Sequence, residues 1–426
     1  LFNTAIGLAA LIFLLVLVRY VIQLIKNNAR LFAITQRGYE LELELTRARL
    51  AQAMEQATQN VPVTPVMWNG FRRFQIIFKA IEAKHFISFY LAPVDGKSLP
   101  PFLPGQYLTF KLNIPGQSKP VIRCYSLSDS PNHTDYYRVT IKRQLPPKNA
   151  PEAPPGISSN FFHDCLNERD VVDVKAPNGH FYIDMGKTSP IVLIGGGAGI
   201  TPILSMLNTI TEKNFQGKLS TRETWVFLGC RNSSDHVMKE HLERIANKHN
   251  NIFLQVCYSQ PLERDIMSRD YHHQGRVSVE LLTKVLPSNN FEFFYCGPPQ
   301  MMEDLHEGLE KWGVCEDKIN YEAFNSASIQ KLTGTEANQT DSSLQVTFAK
   351  SKITLPWNPA AGSLLNFAEE NGILLESGCR TGNCGSCLTT IERGLVTYLL
   401  EPGKRPDARS CLACISVPKT DLTLDG

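Results

Sequence analysis

The 426-residue sequence carries almost no net charge, with 43 basic residues against 41 acidic ones. A nucleic-acid partner would call for a clustered basic surface, so this balance argues against one. A disulfide framework is missing too. The 11 cysteines are odd in number, five fall at or beyond Cys379, and Cys124, Cys165, Cys230, Cys257, Cys296 and Cys315 are scattered through apolar contexts. So many free thiols imply a reducing compartment. Histidines are few, 10 in all. The adjacent pair His272 and His273 beside Asp270 makes no metal site, because neighbouring side chains on an extended chain point apart, and a solvent-facing loop is expected there.

Basic residues are also lacking ahead of the first apolar run. Positions 5–18 are all apolar or glycine, and the run resumes after Arg19 as far as Ile25. That gives about 21 residues, the length of a spanning helix. Lys26, Arg30 and Arg37 follow it, so the positive-inside rule puts the N-terminus outside and the remainder in the cytoplasm. A cleaved signal peptide would need basic residues before the run and a small-residue site after it, and has neither. The expectation is a single-pass protein of the inner or cytoplasmic membrane, in contact with lipid through residues 5–25. Residues 28–66 read as a helical stalk. Their apolar positions (Leu41, Leu45, Ala48) make only a partial stripe, which suits a spacer better than a partner-binding helix.

From residue 67 to 185 short β-type runs such as 74–78 and 86–91 alternate in polarity between proline and glycine turns, which predicts an antiparallel barrel. Residues 186–328 alternate strand and helix, with apolar strands at 191–194, 225–228 and 293–295, the pattern of a parallel α/β sheet. A polar tether, 329–343, leads to a last domain, 344–426.

Several local patterns carry chemistry. Arg123 and Tyr125 stand two apart on one strand face, so that an aromatic ring can stack on a flavin while a guanidinium reaches a phosphate. Gly156 to Asn160 open a helix with free N–H groups, although such an opening is also an ordinary cap. The strand at 191–194 runs into Gly195, Gly196, Gly197, Ala198, Gly199, Ile200 and Thr201, which lets the backbone approach a pyrophosphate; a tight packing turn is the alternative. It is not G-x-G-x-x-G followed by an acidic residue, so the ordinary Rossmann fingerprint does not apply. Beyond the next strand, Arg231, Ser233 and Ser234 suit a 2′-phosphate, Asp235 would repel one, and all four equally suit a helix cap. NADH is slightly favoured over NADPH.

In the last domain Cys379, Cys384 and Cys387, with Cys414 27 positions after Cys387, spell C-x4-C-x2-C…C, the spacing of a plant-type 2Fe–2S centre. Zinc ribbons show two separate knuckles instead. Cys411 competes with Cys414 for the fourth place. Residues 411–417 read as a closing strand in which Cys414 is the ligand and Cys411 a small buried hydrophobe.

The ordered motifs Arg123-Cys124-Tyr125-Ser126, Gly156 to Asn160, Gly195 to Pro202, Cys296 to Met301 and Tyr321 to Phe324, ending in the cysteine pattern, resemble the ferredoxin–NADP reductase superfamily. The fused C-terminal ferredoxin is similar to its oxygenase-reductase-like branch, over about residues 70–426. The resemblance implies a flavin barrel, a nucleotide domain and a β-grasp ferredoxin. It implies that Arg123 and Ser126 hold the flavin with Tyr125 against the ring, and that Gly156 and Ser159 meet its pyrophosphate. Gly196, Gly197, Gly199 and Thr201 fall on the nucleotide motif. Cys296, Gly297 and Pro298 fall where nicotinamide approaches the flavin, and Glu322 and Phe324 near the ring; a packed strand-end thiol is the other reading of Cys296. FAD is favoured over FMN. The implied activity is that of an NAD(P)H:acceptor oxidoreductase, a membrane-anchored reductase passing electrons from NAD(P)H through flavin and 2Fe–2S to a membrane-bound metalloenzyme of oxygenase or desaturase type. The alternative is a relay or accessory subunit of a larger membrane redox complex.

Overall fold

The computed structural model describes residues 68–146, 151–213, 217, 219–324, 344–382, 385–399, 402 and 405–426, with isolated positions 17–19, 23, 45, 48, 49, 51 and 52. Apart from those isolated positions, the expected span (5–25) and stalk (28–66) lie outside the described residues, as do Cys384 and the tether, 329–343. Among the described residues no helix is long and apolar enough to cross a membrane. The chain divides into Leu1–Gln56 and Ala57–Gly426, and all that follows belongs to the second unit.

The first layer contains β1 (Arg72–Ala83), β2 (Phe86–Pro93), β3 (Tyr107–Leu112), β4 (Val121–Ser126), β5 (Tyr137–Lys142), helix α1 (Ile157–Asp164) and β6 (Val171–Asn178). The strands pair antiparallel in the order β4-β3-β6-β1-β2-β5. Period-two alternation sends Phe74, Ile76, Phe89, Leu91, Leu108 and Phe110 inward, all fully buried. The two edges meet where Leu127 bridges Val139 and the Ser128 N–H donates to the Arg138 carbonyl at 2.9 Å, so the sheet curls into the expected barrel. Phe162 of α1 plugs it, edge-on to Phe89 at 5.2 Å and to Phe110 at 5.3 Å.

Next come β7 (Ile191–Gly196), α2 (Ile200–Thr211), β8 (Thr224–Cys230), α3 (Lys239–Lys248), β9 (Ile252–Tyr258), β10 (His273–Gln274), α4 (Val279–Val285), β11 (Glu292–Cys296), α5 (Pro299–Lys311) and β12 (Ile319–Glu322). They form a parallel sheet, β10-β9-β8-β7-β11-β12. Every residue of β7 is buried, as a central strand covered on both faces requires. One expectation is met only in part. His272 is an exposed bend residue, but His273 stands on a sheet edge paired with Cys257, and His272 exchanges bonds with Val256, its N–H to the carbonyl at 2.8 Å and its Nδ1 accepting the Val256 N–H at 3.0 Å. Backbone pairing outweighs the polarity that suggested a loop.

The last domain holds β13 (Gln345–Phe348), β14 (Ile353–Pro356), α6 (Leu364–Glu370), β15 (Leu388–Arg393), β16 (Val396–Tyr398), β17 (Ser410–Leu412), β18 (Ser416–Pro418) and β19 (Leu422–Leu424). Its main sheet runs β14-β13-β19-β15-β17, and α6 buries Leu364, Leu365, Phe367 and Ala368. Residues 411–417 are not one strand. A 3-10 turn, Ala413–Ile415, interrupts them and carries Cys414 in the interior.

Candidate active site

Two cavities lie along the carboxyl edge of the parallel sheet and the mouth of the barrel. The larger, about 470 Å³, is walled by Gly195, Gly196, Gly197 and Ile200 at the end of β7, by Gly229, Cys230 and Arg231 after β8, and by Pro298 and Met301 at the start of α5. This is where an open α/β sheet takes ligands. The glycines act differently. At Gly199 a Cβ would sit 2.0 Å from the Cys296 carbonyl oxygen, so that glycine lets two chain segments touch. At Gly197, with φ +55°, a Cβ would meet only the Lys142 Nζ, at 3.2 Å, so this glycine leaves backbone bare towards the cavity. Bare backbone ahead of a 12-residue helix suits a pyrophosphate, and a nucleotide fits the donor set. Thr201 bonds back to the Ala198 carbonyl at 3.0 Å and closes the turn.

Beyond β8 the polar groups are already engaged. Arg231 Nε lies 3.9 Å from Asp235, the Asn232 side chain caps the Ser234 N–H at 3.1 Å, and Ser233 N–H donates to Asp265 at 3.2 Å. His236 lines the same cavity, with Nδ1 2.9 Å from the Tyr258 hydroxyl and Nε2 buried without a partner among the described residues. Burial pushes its pKa down to about 3, so the ring is neutral.

The smaller cavity, about 100 Å³, is lined by Tyr107, Arg123, Cys124 and Ser126 of the barrel, by Glu322, Ala323 and Phe324 after β12, and by Gly378, Cys379, Arg380 and Thr381 of the cysteine loop. Three domains thus share its wall. Ser126 donates to Glu322 at 3.5 Å, and burial, with the neighbouring Cys379, pushes the Glu322 carboxyl up to about 8. Arg123 donates to the Ile122 carbonyl at 2.7 Å and has no carboxylate partner among the described residues, which leaves guanidinium donors for a flavin phosphate. Phe324 is half-exposed at the rim.

Not every expected residue reaches a cavity. Tyr125 packs edge-on to Phe110 at 5.7 Å and Phe162 at 5.2 Å, and lines neither space. Gly156 and Ser159 lie in the α1 turn, where the Ser159 hydroxyl accepts the Gln144 N–H at 3.1 Å and donates to the Gly156 carbonyl at 3.3 Å. Gly297 packs against Met301. The Cys296 thiol is fully buried, pushed well above its usual range by burial and then by Glu322, and lines neither cavity. It sits where the packed-thiol reading put it. Conversely, Tyr107, Lys142, Arg276, His236 and Arg380 line the cavities without having been singled out. Only Arg380 carried a signal, its place inside the cysteine loop.

In that loop Cys379, Cys387 and Cys414 are buried, and the Cys387 and Cys414 sulfurs approach to 3.0 Å. The hydrogen bond between them pushes the Cys387 thiol down and the Cys414 thiol up. The Thr381 N–H points at the Cys379 sulfur from 3.4 Å, and the Ser386 hydroxyl is buried without a partner among the described residues. Arg380, Gly382 and Gly385 all have positive φ, which turns the loop around the sulfurs. Converging thiols, inward N–H groups and an orphaned hydroxyl fit an iron–sulfur cluster. Cys411 instead pairs with Thr389 across β15 and β17, and burial pushes its thiol up to about 12.

Comparison with known proteins agrees with this division. Residues 87–183 match the oxidoreductase FAD-binding domain family, 193–307 the oxidoreductase NAD-binding domain family, and 346–419 the 2Fe-2S iron-sulfur cluster binding domain family. The chain belongs to the ferredoxin reductase-like superfamily. It is similar to the flavohemoprotein of Bacillus cereus, 38% identical over 261 residues, 61% of this chain and 62% of the relative. To that of Halalkalibacterium halodurans it is 36% identical over 290 residues, 68% of this chain and 67% of the relative. It thus spans 62% of the length of the first of these relatives. Among solved structures, the FAD/NAD-binding domain of nitric oxide dioxygenase from Vibrio cholerae is 28% identical and covers 60% of this chain and 99% of its own, with a TM-score of 0.51. Phthalate dioxygenase reductase, 23% identical, covers 84% of this chain and 98% of its own at a TM-score of 0.51, and shares the fold. This superfamily member is an NAD(P)H oxidoreductase whose cofactors are FAD, NAD(P)H and a 2Fe–2S cluster.

Proposed function

We propose that the chain is a membrane-anchored reductase that draws electrons from NAD(P)H and passes them singly to a membrane-associated metalloenzyme of oxygenase or desaturase type. When bound, nicotinamide supplies a hydride, the flavin takes the electron pair, and the cluster accepts one electron at a time. The chain's own residues position and shield. Gly196 and Gly197 give backbone access to the nucleotide, Arg123 and Ser126 hold the flavin, and Phe324 covers its ring at the rim. Glu322, buried beside Ser126, supplies a polar atom where water is excluded.

The observation that carries the reading is the shared wall of the smaller cavity. Cys379, a cluster-ligand position, lines the same space as Arg123, Ser126 and Glu322. NADH is preferred over NADPH, because Asp235 lies beside Arg231 and would repel a second phosphate.

The anchor rests on the sequence of residues 5–25, and with it an N-terminus outside and cofactor domains in the cytoplasm. Confinement to the bilayer raises the effective concentration of reductase and acceptor for each other. Two assays of the full chain in detergent test this. NADH should drive reduction of both ferricyanide and cytochrome c, and absence of both activities would favour a relay subunit instead. The chain should also stay with vesicles through an alkaline carbonate wash, and release would refute the anchor.

A further inference from the structure

The cysteine loop brings a cation to the flavin pocket. Arg380 and Arg123 come from different domains, yet both line the same cavity of about 100 Å³. Glu369 of α6 holds Arg380 through two hydrogen bonds, at 2.9 and 2.5 Å, and the backbone beneath it has φ +59°. Arg123 has no carboxylate partner among the described residues, and its charged form is disfavoured by burial and then by the nearness of Arg380. Two guanidinium groups face one small cavity, and the carboxyl groups beside them are already engaged, Glu369 with Arg380 and Glu322 with Ser126, which leaves the Arg123 charge for an anion to neutralise.

We infer that Arg380 is a second flavin-phosphate contact, so that seating of the ferredoxin domain and retention of the flavin are one coupled event. Arg123 of the barrel and Arg380 of the cysteine loop would both hold the phosphate, with Glu369 fixing the Arg380 guanidinium. Coupling of this kind is reciprocal: whatever the flavin adds to domain seating, the seated domain adds to flavin affinity. The inference rests on the reading of a flavin in this cavity.

The test compares riboflavin, FMN and FAD binding to the full-length protein, stripped of flavin but retaining its cluster, for wild type, Arg380→Ala and Glu369→Gln. Loss of one charge-assisted phosphate contact should weaken FMN and FAD by roughly tenfold in R380A, and by less in E369Q. Riboflavin, with no phosphate, should bind both variants as it binds wild type. Iron and acid-labile sulfide per chain establish that the cluster survives each substitution. Small-angle scattering reads the coupling itself: wild type should expand when FAD is removed, and FAD-loaded R380A should match that expanded form. Equal weakening of riboflavin, unchanged FMN and FAD affinity, or scattering indifferent to FAD would each overturn the inference. Failure of the underlying reading looks different, since wild type would then bind no flavin at all.

Discussion

The two cavities are made in opposite ways. The nucleotide cavity has a backbone floor of one strand end, one glycine turn and one helix start, consecutive in sequence from Ile191 to Thr211, with side chains such as Arg231, His236, Arg276 and Met301 around it. The flavin–cluster cavity is a property of side chains, drawn from the barrel, the end of the parallel sheet and the ferredoxin loop. A backbone site tolerates change around it but not within its turn. A side-chain site assembled from three domains is sensitive wherever one of them contributes.

The sharpest way to break this comparison lies in the cysteine loop. Cys414→Ser should abolish the 2Fe–2S absorbance while leaving FAD bound, whereas Cys411→Ser should keep the cluster; iron, sulfide and flavin content per chain decide it. The reverse outcome would reassign the fourth ligand to Cys411.

Within the nucleotide turn the contrast is between two glycines. Gly199→Ala forces a Cβ into the Cys296 carbonyl and should cost about 3 kcal/mol of stability, read by denaturant unfolding. Gly197→Ala meets only a flexible lysine but occupies a positive-φ position facing the cavity, so its smaller stability loss should come with a raised KM for NADH.

A third effect is pH-dependent. His236 is neutral and buried, with a folded pKa of about 3 against an ordinary 6.5. Its contribution is complete above 6.5 and is lost as pH falls from there towards 3, because the unfolded chain takes up the proton first. The unfolding temperature should therefore drop between pH 7 and 5, and less steeply in His236→Gln. The smallest expected effect is on nucleotide choice. Asp235→Asn removes a repelling charge and should raise kcat/KM for NADPH about fivefold without a matching change for NADH.

Sequence patterns reveal the backbone site better than the side-chain site, and for the same reason. The apolar run 191–194, the glycines after it and the alternation of β1 and β2 are local, so strand, turn and barrel could all be read from neighbouring residues. The grouping of Cys379, Cys387 and Cys414 was legible because their spacing is itself the signal. Arg380 and Tyr107 were not identified, since what makes each a pocket residue is a partner hundreds of positions away or on an adjoining strand. Cys296 shows the converse. The resemblance implies a place beside the nicotinamide, with a packed strand-end thiol as the other reading, and the thiol is buried at a strand end between β7 and β12. The break in 411–417 was hidden because a 3-10 turn between two short strands has the same apolar composition as one strand.

The central claim is that the flavin pocket feeds the cysteine loop directly. Anaerobic rapid mixing of the full-length holoprotein with NADH tests it, with absorbance following the flavin and freeze-quench EPR following the cluster. The account predicts that flavin bleaching comes first and that the reduced 2Fe–2S signal then grows at a rate independent of protein concentration. A cluster that stays oxidised beside fully reduced flavin, or one reduced only by encounter between molecules, would contradict it.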